Sequence, residues 1–371
     1  MGLLPSQDSK TKMRKFIYII SVIILFISCN KVIEPETPEK IFEKYKSSVV
    51  LIASQYYYEV YSGNTTYYYS PSSEKKLFFS KEEVLNNLSF STGTGFVISE
   101  NGEILTNNHV VNHKDESYKI ELINFYEKAK SNILYDVRMY NDTIDNIKST
   151  YSQYSDQMEY YEKENFEHRY DLVRNKKNFL VDLYQQIENI DLSNSTSKLI
   201  IHKIGIAYND THVTEFDDLQ ECVVVKTSED EKIDLALIQT KSKLFNTKPN
   251  FIFNFKDNNP NITENPEKNK ERNIKNPIKI NEDVFMIGFN RGFSLANTKQ
   301  GIKSQFTSGK ISQENDGERI LYTIPTLEGS SGSPIVDKWG NLVGVNFAKI
   351  TNSQSFSFGV PLNEVKKFYE E

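Results

Sequence analysis

Three short segments carry side chains that could perform nucleophilic catalysis together. Residues 106–111 (TNNHVV) place a histidine, His109, after a β-type run. Residues 234–238 (DLALI) place a carboxylate, Asp234, directly before an apolar run. Residues 328–334 (EGSSGSP) contain three serines beside two glycines. A histidine, a carboxylate and a serine are the groups that an activated serine nucleophile requires.

The chemistry of acyl transfer explains why these residue types matter together. A serine hydroxyl is a poor nucleophile at neutral pH, so a neutral imidazole must accept its proton during attack. That imidazole needs a carboxylate on its other nitrogen to fix the tautomer and stabilise the cation. Glycines beside the serine let backbone N–H groups point at the developing oxyanion, an effect of about 3 to 4 kcal/mol per donor. This chemistry requires no metal and no other cofactor.

Residue types alone leave alternatives for each group. Ser330 and Ser333 are alternative nucleophiles, and Asp230 is an alternative acid that lacks a following apolar run. His113 is the nearest alternative base, in a polar run. A histidine among apolar residues is commonly a core residue, and a Ser-Ser-Gly-Ser segment can be a simple turn.

In the order His, Asp, Ser, the three segments resemble the chymotrypsin-like serine peptidases, and within them the bacterial HtrA-type and glutamyl-endopeptidase-type branches. Residues 94–96 (TGF), within the segment 92–99 (TGTGFVIS), and residues 106–111 are similar to sequences that are widely shared, whereas residues 329–334 (GSSGSP) are closer to the glutamyl endopeptidases. The resemblance covers about residues 44–368, apart from a helical insert and a loop rich in Asn and Lys. It implies a mainly β fold, a double antiparallel β-barrel, and protein or peptide substrates.

The resemblance also assigns a role to each residue of the predicted site. Ser331, between Gly329 and Gly332, would be the nucleophile, His109 the general base and Asp234 the acid that orients it. The backbone N–H groups of Gly329 and Ser331 would form the oxyanion hole.

By the same resemblance, residues 325–328 and 345–347 would form the primary specificity pocket, with Pro325, Glu328 and Asn346 as its predicted residues. Pro325 stands where trypsin-like enzymes carry an aspartate, which disfavours cleavage after Lys or Arg. Asn346 stands where glutamyl endopeptidases carry a histidine, and it has no positive charge to select Glu. We expect a small or apolar pocket.

Short β-type runs rich in Val and Ile flank these segments, as expected of an antiparallel barrel. They comprise residues 48–53, 95–99, 103–107, 221–227, 234–239, 284–288, 320–324 and 342–347. Residues 56–69 predict an aromatic hairpin around Ser-Gly-Asn. Residues 257–279, rich in Asn, Lys and Pro, predict a surface loop.

The segment between the predicted histidine and aspartate has a helical pattern. Its apolar residues follow heptad spacing in two seams, 133–161 and 166–190. One helix over residues 131–190 would be about 90 Å long and would separate strands that must rejoin one sheet. A folded-back, coiled-coil-like hairpin inserted at 117–195, with a bend near 162–165, avoids this. One long helix that reaches a partner chain is the alternative structure.

We expect the insert to be a docking arm for a protein partner or a lid on the cleft. The alternative role is a passive decoration of the barrel.

The amino terminus has the pattern of a bacterial lipoprotein signal. Basic residues precede an apolar run that is too short to span a membrane. The run ends at Ser28-Cys29, which resembles a lipobox, in which the cysteine becomes the lipidated first residue. An ordinary signal peptide and an uncleaved anchor are the alternatives. We expect a signal peptide over 1–28, a tether over 29–43 and a peptidase domain over 44–371. The protein would then be lipid-anchored in the cell envelope, facing the periplasm or the surface.

Composition excludes several other classes of protein. The chain has 371 residues, of which 38% are apolar, which allows a large core. Its formal net charge of -6 argues against a nucleic-acid-binding surface. The two cysteines, Cys29 and Cys222, exclude a disulfide framework and a cysteine-rich zinc site, and Cys222 is expected to be buried and inert. We expect no carboxy-terminal peptide-binding (PDZ) domain of the HtrA kind. The alternative function is an inactive peptidase-fold lipoprotein that acts as a binding scaffold through its helical arm.

Overall fold

The computed structural model describes residues 35–112, 118–230, 232–253, 279–314, 316–349 and 356–371. The predicted signal peptide, Cys29, His113 and nearly all of the predicted loop at 257–279 lie outside the described residues. Among the helices of the described ranges, none is both long enough and apolar enough to cross a bilayer.

Two long helices interrupt the first of two groups of strands along the chain. The first group comprises α1 (Pro38–Tyr45), β1 (Val49–Ser62), β2 (Thr65–Tyr69), β3 (Leu77–Phe78), α2 (Lys81–Leu85), β4 (Ser89–Val97), β5 (Glu103–Thr106) and α3 (Asn108–Val111). The long helices α4 (Tyr118–Tyr154) and α5 (Tyr160–Glu188) follow, and then β6 (Thr196–Tyr208), β7 (Gln220–Thr227) and β8 (Ala236–Thr240). The second group comprises β9 (Asp283–Gly288), α6 (Phe293–Ala296), β10 (Asn297–Thr298), β11 (Gly301–Ile302), β12 (Gln305–Lys310), β13 (Ile320–Tyr322), β14 (Pro334–Asp337), β15 (Leu342–Lys349), β16 (Ser357–Pro361) and α7 (Leu362–Glu370). Each predicted β-type run overlaps one of these strands.

The strands close into two antiparallel barrels. In the N-terminal barrel the order is β1-β4-β5-β8-β7-β6, and β6 pairs back with β1. In the C-terminal barrel the order is β12-β9-β14-β15-β16-β13, and a bridge between Ile311 and Tyr322 joins the two ends of the sheet. Closure pairs strand edges that would otherwise be exposed. The predicted mainly β, double-barrel fold with an inserted helical hairpin is thus confirmed.

One hydrophobic cluster runs through both barrels. It includes Leu51, Phe96 and Leu105 of the N-terminal barrel together with Ile287 and Val345 of the C-terminal barrel, and all five are fully buried. Burying a side chain of this size stabilises the fold by about 1.5 to 3 kcal/mol. The two barrels therefore share a core, and the segments at their seam are held in fixed positions.

Helix α1 belongs to the folded domain. Ile41 and Tyr45 are buried in the shared core, and the Tyr45 hydroxyl donates a hydrogen bond to the carbonyl of Gly340 in the C-terminal barrel. The predicted tether over 29–43 is therefore too long. The physical reason is the amphipathic pattern of α1, which places two apolar side chains on one face and buries them.

Helices α4 and α5 form the predicted hairpin, with 37 and 29 residues. The side chains buried between them include Ile144, Ile147 and Val173. The bend, however, lies between Tyr154 and Tyr160 instead of at residues 162–165. Glu162 is already in the first turn of α5, and its carboxylate accepts from the backbone N–H of Glu159 at 2.9 Å. This capping box fixes the start of the second helix ahead of the predicted bend.

The root of the hairpin rests on an aromatic extension of the N-terminal barrel. Strands β1 and β6 remain paired as far as Tyr61 and Thr196, and β2 and β3 add two short strands beside them. The predicted aromatic hairpin is part of this extension. Apolar side chains of the extension and of the helices form one cluster, which includes Tyr58, Val60, Tyr69, Leu122, Tyr126, Ile133, Ile187 and Ile190.

Candidate active site

His109 and Asp234 meet at one edge of the N-terminal barrel. His109 lies in α3, directly after β5, and Asp234 lies just before β8. These strands are neighbours, with Thr106 paired to Ala236. The Asp234 carboxylate accepts from the His109 backbone N–H at 2.9 Å through Oδ1, and its Oδ2 makes a short hydrogen bond with the ring Nδ1. Asn107 Nδ2 donates to the Asp234 carbonyl at 2.6 Å.

The exposure of the two side chains suits an acid that orients a base. The Asp234 side chain is 18% exposed, whereas the His109 side chain is 49% exposed. Because Nδ1 faces the carboxylate, Nε2 on the opposite side of the ring is directed away from it. The alternative acid, Asp230, instead accepts from the backbone N–H of Lys232 at 2.9 Å within its own turn.

Ser331 lies in a tight turn between two glycines with positive φ. Gly329 has a φ of +91° and Gly332 a φ of +84°, a region that favours glycine. A Cβ on Gly332 would collide with the carbonyl oxygen of Thr94, and it would lie 3.2 Å from the backbone nitrogen of Asn107. The serine loop, residues 328–333, is therefore pressed against the segment that leads into His109.

Thr94 of β4 fastens the serine loop from the opposite barrel. Its backbone N–H donates to the Ser331 carbonyl at 2.8 Å, and its hydroxyl donates to the Gly329 carbonyl at 2.8 Å. The same hydroxyl accepts from the Phe289 N–H at 3.0 Å, and Thr94 is fully buried. Because β4 is also the neighbour of β5, one strand contacts the serine loop and supports the strand before His109.

The N–H groups of Gly329 and Ser331 have no protein acceptor within the described ranges. In a trans peptide the N–H points opposite to the preceding carbonyl. The Glu328 carbonyl accepts a hydrogen bond from the Arg291 backbone N–H at 2.5 Å. The Ser330 carbonyl accepts one from Asn346 Nδ2 at 2.9 Å. The two N–H groups therefore point away from these partners. This arrangement fits an oxyanion hole.

The three candidate serines differ in exposure. Ser330 is 2% exposed and its hydroxyl donates to the Leu327 carbonyl at 2.6 Å. Ser333 is fully buried, whereas Ser331 is partly exposed. Within the described contacts no hydrogen bond joins the Ser331 hydroxyl to the His109 ring. Such bonds are commonly long before a substrate is bound.

The predicted pocket residues occupy two different environments. Glu328, the first residue of the serine loop, and Pro325, which precedes the loop, are exposed. Asn346 is 2% exposed, and its side chain is hydrogen-bonded beneath the loop instead of forming an open wall. The hydroxyls of Thr326 and Ser357, 31 residues apart in the chain, lie 2.8 Å from each other behind Pro325, and neither residue belongs to the predicted site. Their separation along the chain gave no signal for this contact.

Comparison with known proteins agrees with this geometry at the level of class. Residues 202–345 match the family model of the trypsin-like peptidase domain, a range that includes Asp234 and Ser331. This range is less than half of the chain; together with the double barrel, the match supports a chymotrypsin-like serine peptidase fold. Among solved structures, the serine endoprotease from Yersinia pestis is similar at 14% identity, over 91% of this chain and 67% of that chain, with a TM-score of 0.43. No curated protein is significantly similar in sequence.

Proposed function

We propose that this chain is a serine endopeptidase that hydrolyses peptide bonds of proteins through Ser331, His109 and Asp234. The observation that carries the proposal is the double hydrogen bond of one carboxylate to His109, beside a serine loop with two free N–H groups. The family match supports peptidase chemistry at the coarser level.

In the proposed reaction, His109 Nε2 takes the proton of the Ser331 hydroxyl as its oxygen attacks the scissile carbonyl carbon. The oxyanion of the tetrahedral intermediate accepts from the N–H groups of Gly329 and Ser331, while Asp234 stabilises the imidazolium. Collapse breaks the C–N bond, and the leaving amine takes the proton from His109. Water then attacks the acyl-enzyme by the same route, releasing the carboxylic acid and restoring Ser331.

Labelling by a fluorophosphonate probe tests this proposal. We expect the wild-type protein and Ser330→Ala to be labelled, and Ser331→Ala to be unlabelled and to lose at least about 10³-fold in peptide hydrolysis. Ser330→Ala is the matched control because it removes the neighbouring hydroxyl. Labelling that persists in Ser331→Ala would exclude this nucleophile. A folded wild-type protein that takes no label would favour the scaffold alternative.

We also propose that a lipid on Cys29 holds the peptidase at the bacterial cell envelope. The apolar run and Ser28-Cys29 in the sequence support this anchor. Cells grown with an alkyne-tagged fatty acid should incorporate the tag into the wild-type protein, which should sediment with membranes. The Cys29→Ser variant should carry no tag. Equal tagging of both proteins would refute lipidation at this cysteine.

The helical hairpin is proposed to govern access of protein substrates, as a lid or as a docking arm. Ser54 Oγ on β1 donates to the Val110 carbonyl of α3 at 3.1 Å. Strand β1 continues from that point into the extension on which the hairpin rests. The root of the hairpin therefore starts from the same barrel edge as His109, which supports a role at the cleft.

A further inference from the structure

A neutral hydrogen-bond network lies beneath the serine loop. Asn346 Nδ2 donates to the Ser330 carbonyl at 2.9 Å, and Asn346 Oδ1 accepts from the Tyr322 hydroxyl at 2.7 Å. That hydroxyl also lies 2.8 Å from the Phe358 carbonyl. Tyr322 is fully buried and Asn346 is 2% exposed. One end of the carboxamide therefore holds the loop, and the other end is held by the barrel.

The backbone of Asn346 contacts the same loop. Its N–H donates to the Ser333 carbonyl at 2.9 Å, and its carbonyl accepts from the Gly332 N–H at 2.8 Å. With the side-chain bond to Ser330, one strand residue binds three residues that surround Ser331. A register shift between Asn346 and Ala348 interrupts the pairing of β15 with β16 directly after this contact. Such a bulge redirects side chains locally.

The Ser330 carbonyl and the buried tyrosine together set which way the carboxamide faces. Burial raises the pKa of Tyr322 well above its ordinary value, so the hydroxyl stays protonated and acts as a donor. Its one hydrogen is within reach of two acceptors, the carboxamide oxygen of Asn346 at 2.7 Å and the Phe358 carbonyl at 2.8 Å, and the bond to Asn346 favours the orientation in which the carboxamide oxygen faces Tyr322. The amide nitrogen is then directed to the Ser330 carbonyl, which can only accept.

The bond to the Ser330 carbonyl in turn sets the direction of the Ser331 N–H. These two groups belong to one trans peptide and point in opposite directions. While Asn346 holds the carbonyl toward the barrel, the N–H points away from the barrel. The Ser330 carbonyl also accepts from the Ser333 N–H at 3.1 Å, so Asn346 supplies one of its two donors. Loss of the Asn346 donor would leave this buried carbonyl held only within its own turn, and rotation of the peptide would then remove one donor from the oxyanion hole.

We propose that Asn346, oriented by Tyr322, is a positioning residue that presets the oxyanion hole through the peptide between Ser330 and Ser331. The proposal rests on the proposed peptidase function. Both side chains are buried beneath the serine loop, so we expect the effect to fall on the transition state and not on substrate binding.

Asn346→Asp is the sharpest test because it keeps the shape and replaces the N–H donor by an oxygen. We expect kcat for a peptide substrate to fall about 100-fold, with KM within about twofold of wild type, since one oxyanion donor is lost. Affinity for a peptide boronate, which forms a tetrahedral adduct, should fall in parallel with kcat. Asn297→Asp is the matched control, because Asn297 also donates to a carbonyl, that of Val213 at 3.3 Å, and is exposed. It should retain wild-type kinetics.

A wild-type kcat in Asn346→Asp would overturn the proposal, as would a loss that falls on KM alone. Where that variant is too unstable to assay, Tyr322→Phe decides, because it removes the hydroxyl alone. We expect it to lower kcat about 10-fold at unchanged KM, and an unchanged kcat overturns the proposal. Absence of Ser331-dependent fluorophosphonate labelling in the wild type would overturn the proposed function and this inference together. Labelled wild type with unaffected variants overturns this inference alone.

Discussion

Asp234 acts on His109 in two ways, since one carboxylate oxygen accepts from the backbone N–H and the other binds the ring. Asp234→Asn would present an amide donor to Nδ1 and would favour the tautomer that carries its proton on Nε2. That nitrogen could then no longer accept the Ser331 proton. We expect kcat to fall by about 10³- to 10⁴-fold with little change in KM, measured by steady-state peptide hydrolysis.

Asp230→Asn is the control for this substitution, because Asp230 is the alternative acid and binds within its own turn. It should leave kcat within about twofold of wild type. Equal losses in the two variants would contradict the assignment of Asp234.

Single residues differ in how far sequence alone could place them. His109 and Asp234 each adjoin a strand with a clear β pattern, so their approach follows once those strands are paired. The position of Asn346 depends on a bulge, and simple alternation along a strand gives no sign of one. The bonds of Thr94 to the serine loop depend on the approach of two barrels, which no local pattern encodes.

At the scale of elements, the helical hairpin divides into a root and a distal part. The root packs on the barrel extension, whereas the distal part has its own cluster around Ile144, Ile147 and Val173. Replacing residues 140–176 by a short Gly/Ser turn should therefore preserve the barrels and the hydrolysis of short peptides. We expect the ratio of folded-protein to short-peptide hydrolysis to rise if the hairpin is a lid, and to fall if it is a docking arm. An unchanged ratio would refute both roles.

The heptad pattern predicted the hairpin but misplaced its bend. Met158 and Tyr161 continue the apolar heptad spacing through the turn, so the sequence pattern shows no break there. In the structure Tyr161 is 62% exposed and lies after the turn. Heptad spacing reports which residues face a partner helix, and the cap at Glu159 decides where a helix begins.

At the scale of the whole molecule, the terminal helices join the two barrels. Helix α7 follows the last strand of the C-terminal barrel, yet Phe368 is buried in the shared core. Lys226 of β7, in the N-terminal barrel, donates to the Phe368 carbonyl and lies 4.8 Å from the centre of its ring. This contact of α7 with the first barrel arises from the tertiary fold alone.

Because the core is continuous, we expect both barrels to unfold in one transition, and we expect Phe368→Ala to lower the free energy of unfolding by about 3 to 5 kcal/mol.

Two residues report on the two barrels separately. Trp339, the chain's one tryptophan, reports on the C-terminal barrel by fluorescence. Cys222 reports on the N-terminal barrel, since burial raises its pKa to about 12 and keeps the thiol unreactive until the barrel opens. In a Cys29→Ser background, thiol labelling and fluorescence should follow one denaturation curve. Phe179→Ala is the control, because its side chain is 66% exposed, and it should change the free energy of unfolding by no more than about 0.5 kcal/mol.

Separate curves for the two probes would mean that the barrels are independent, and the shared core would then not be what holds His109 and Ser331 at one seam.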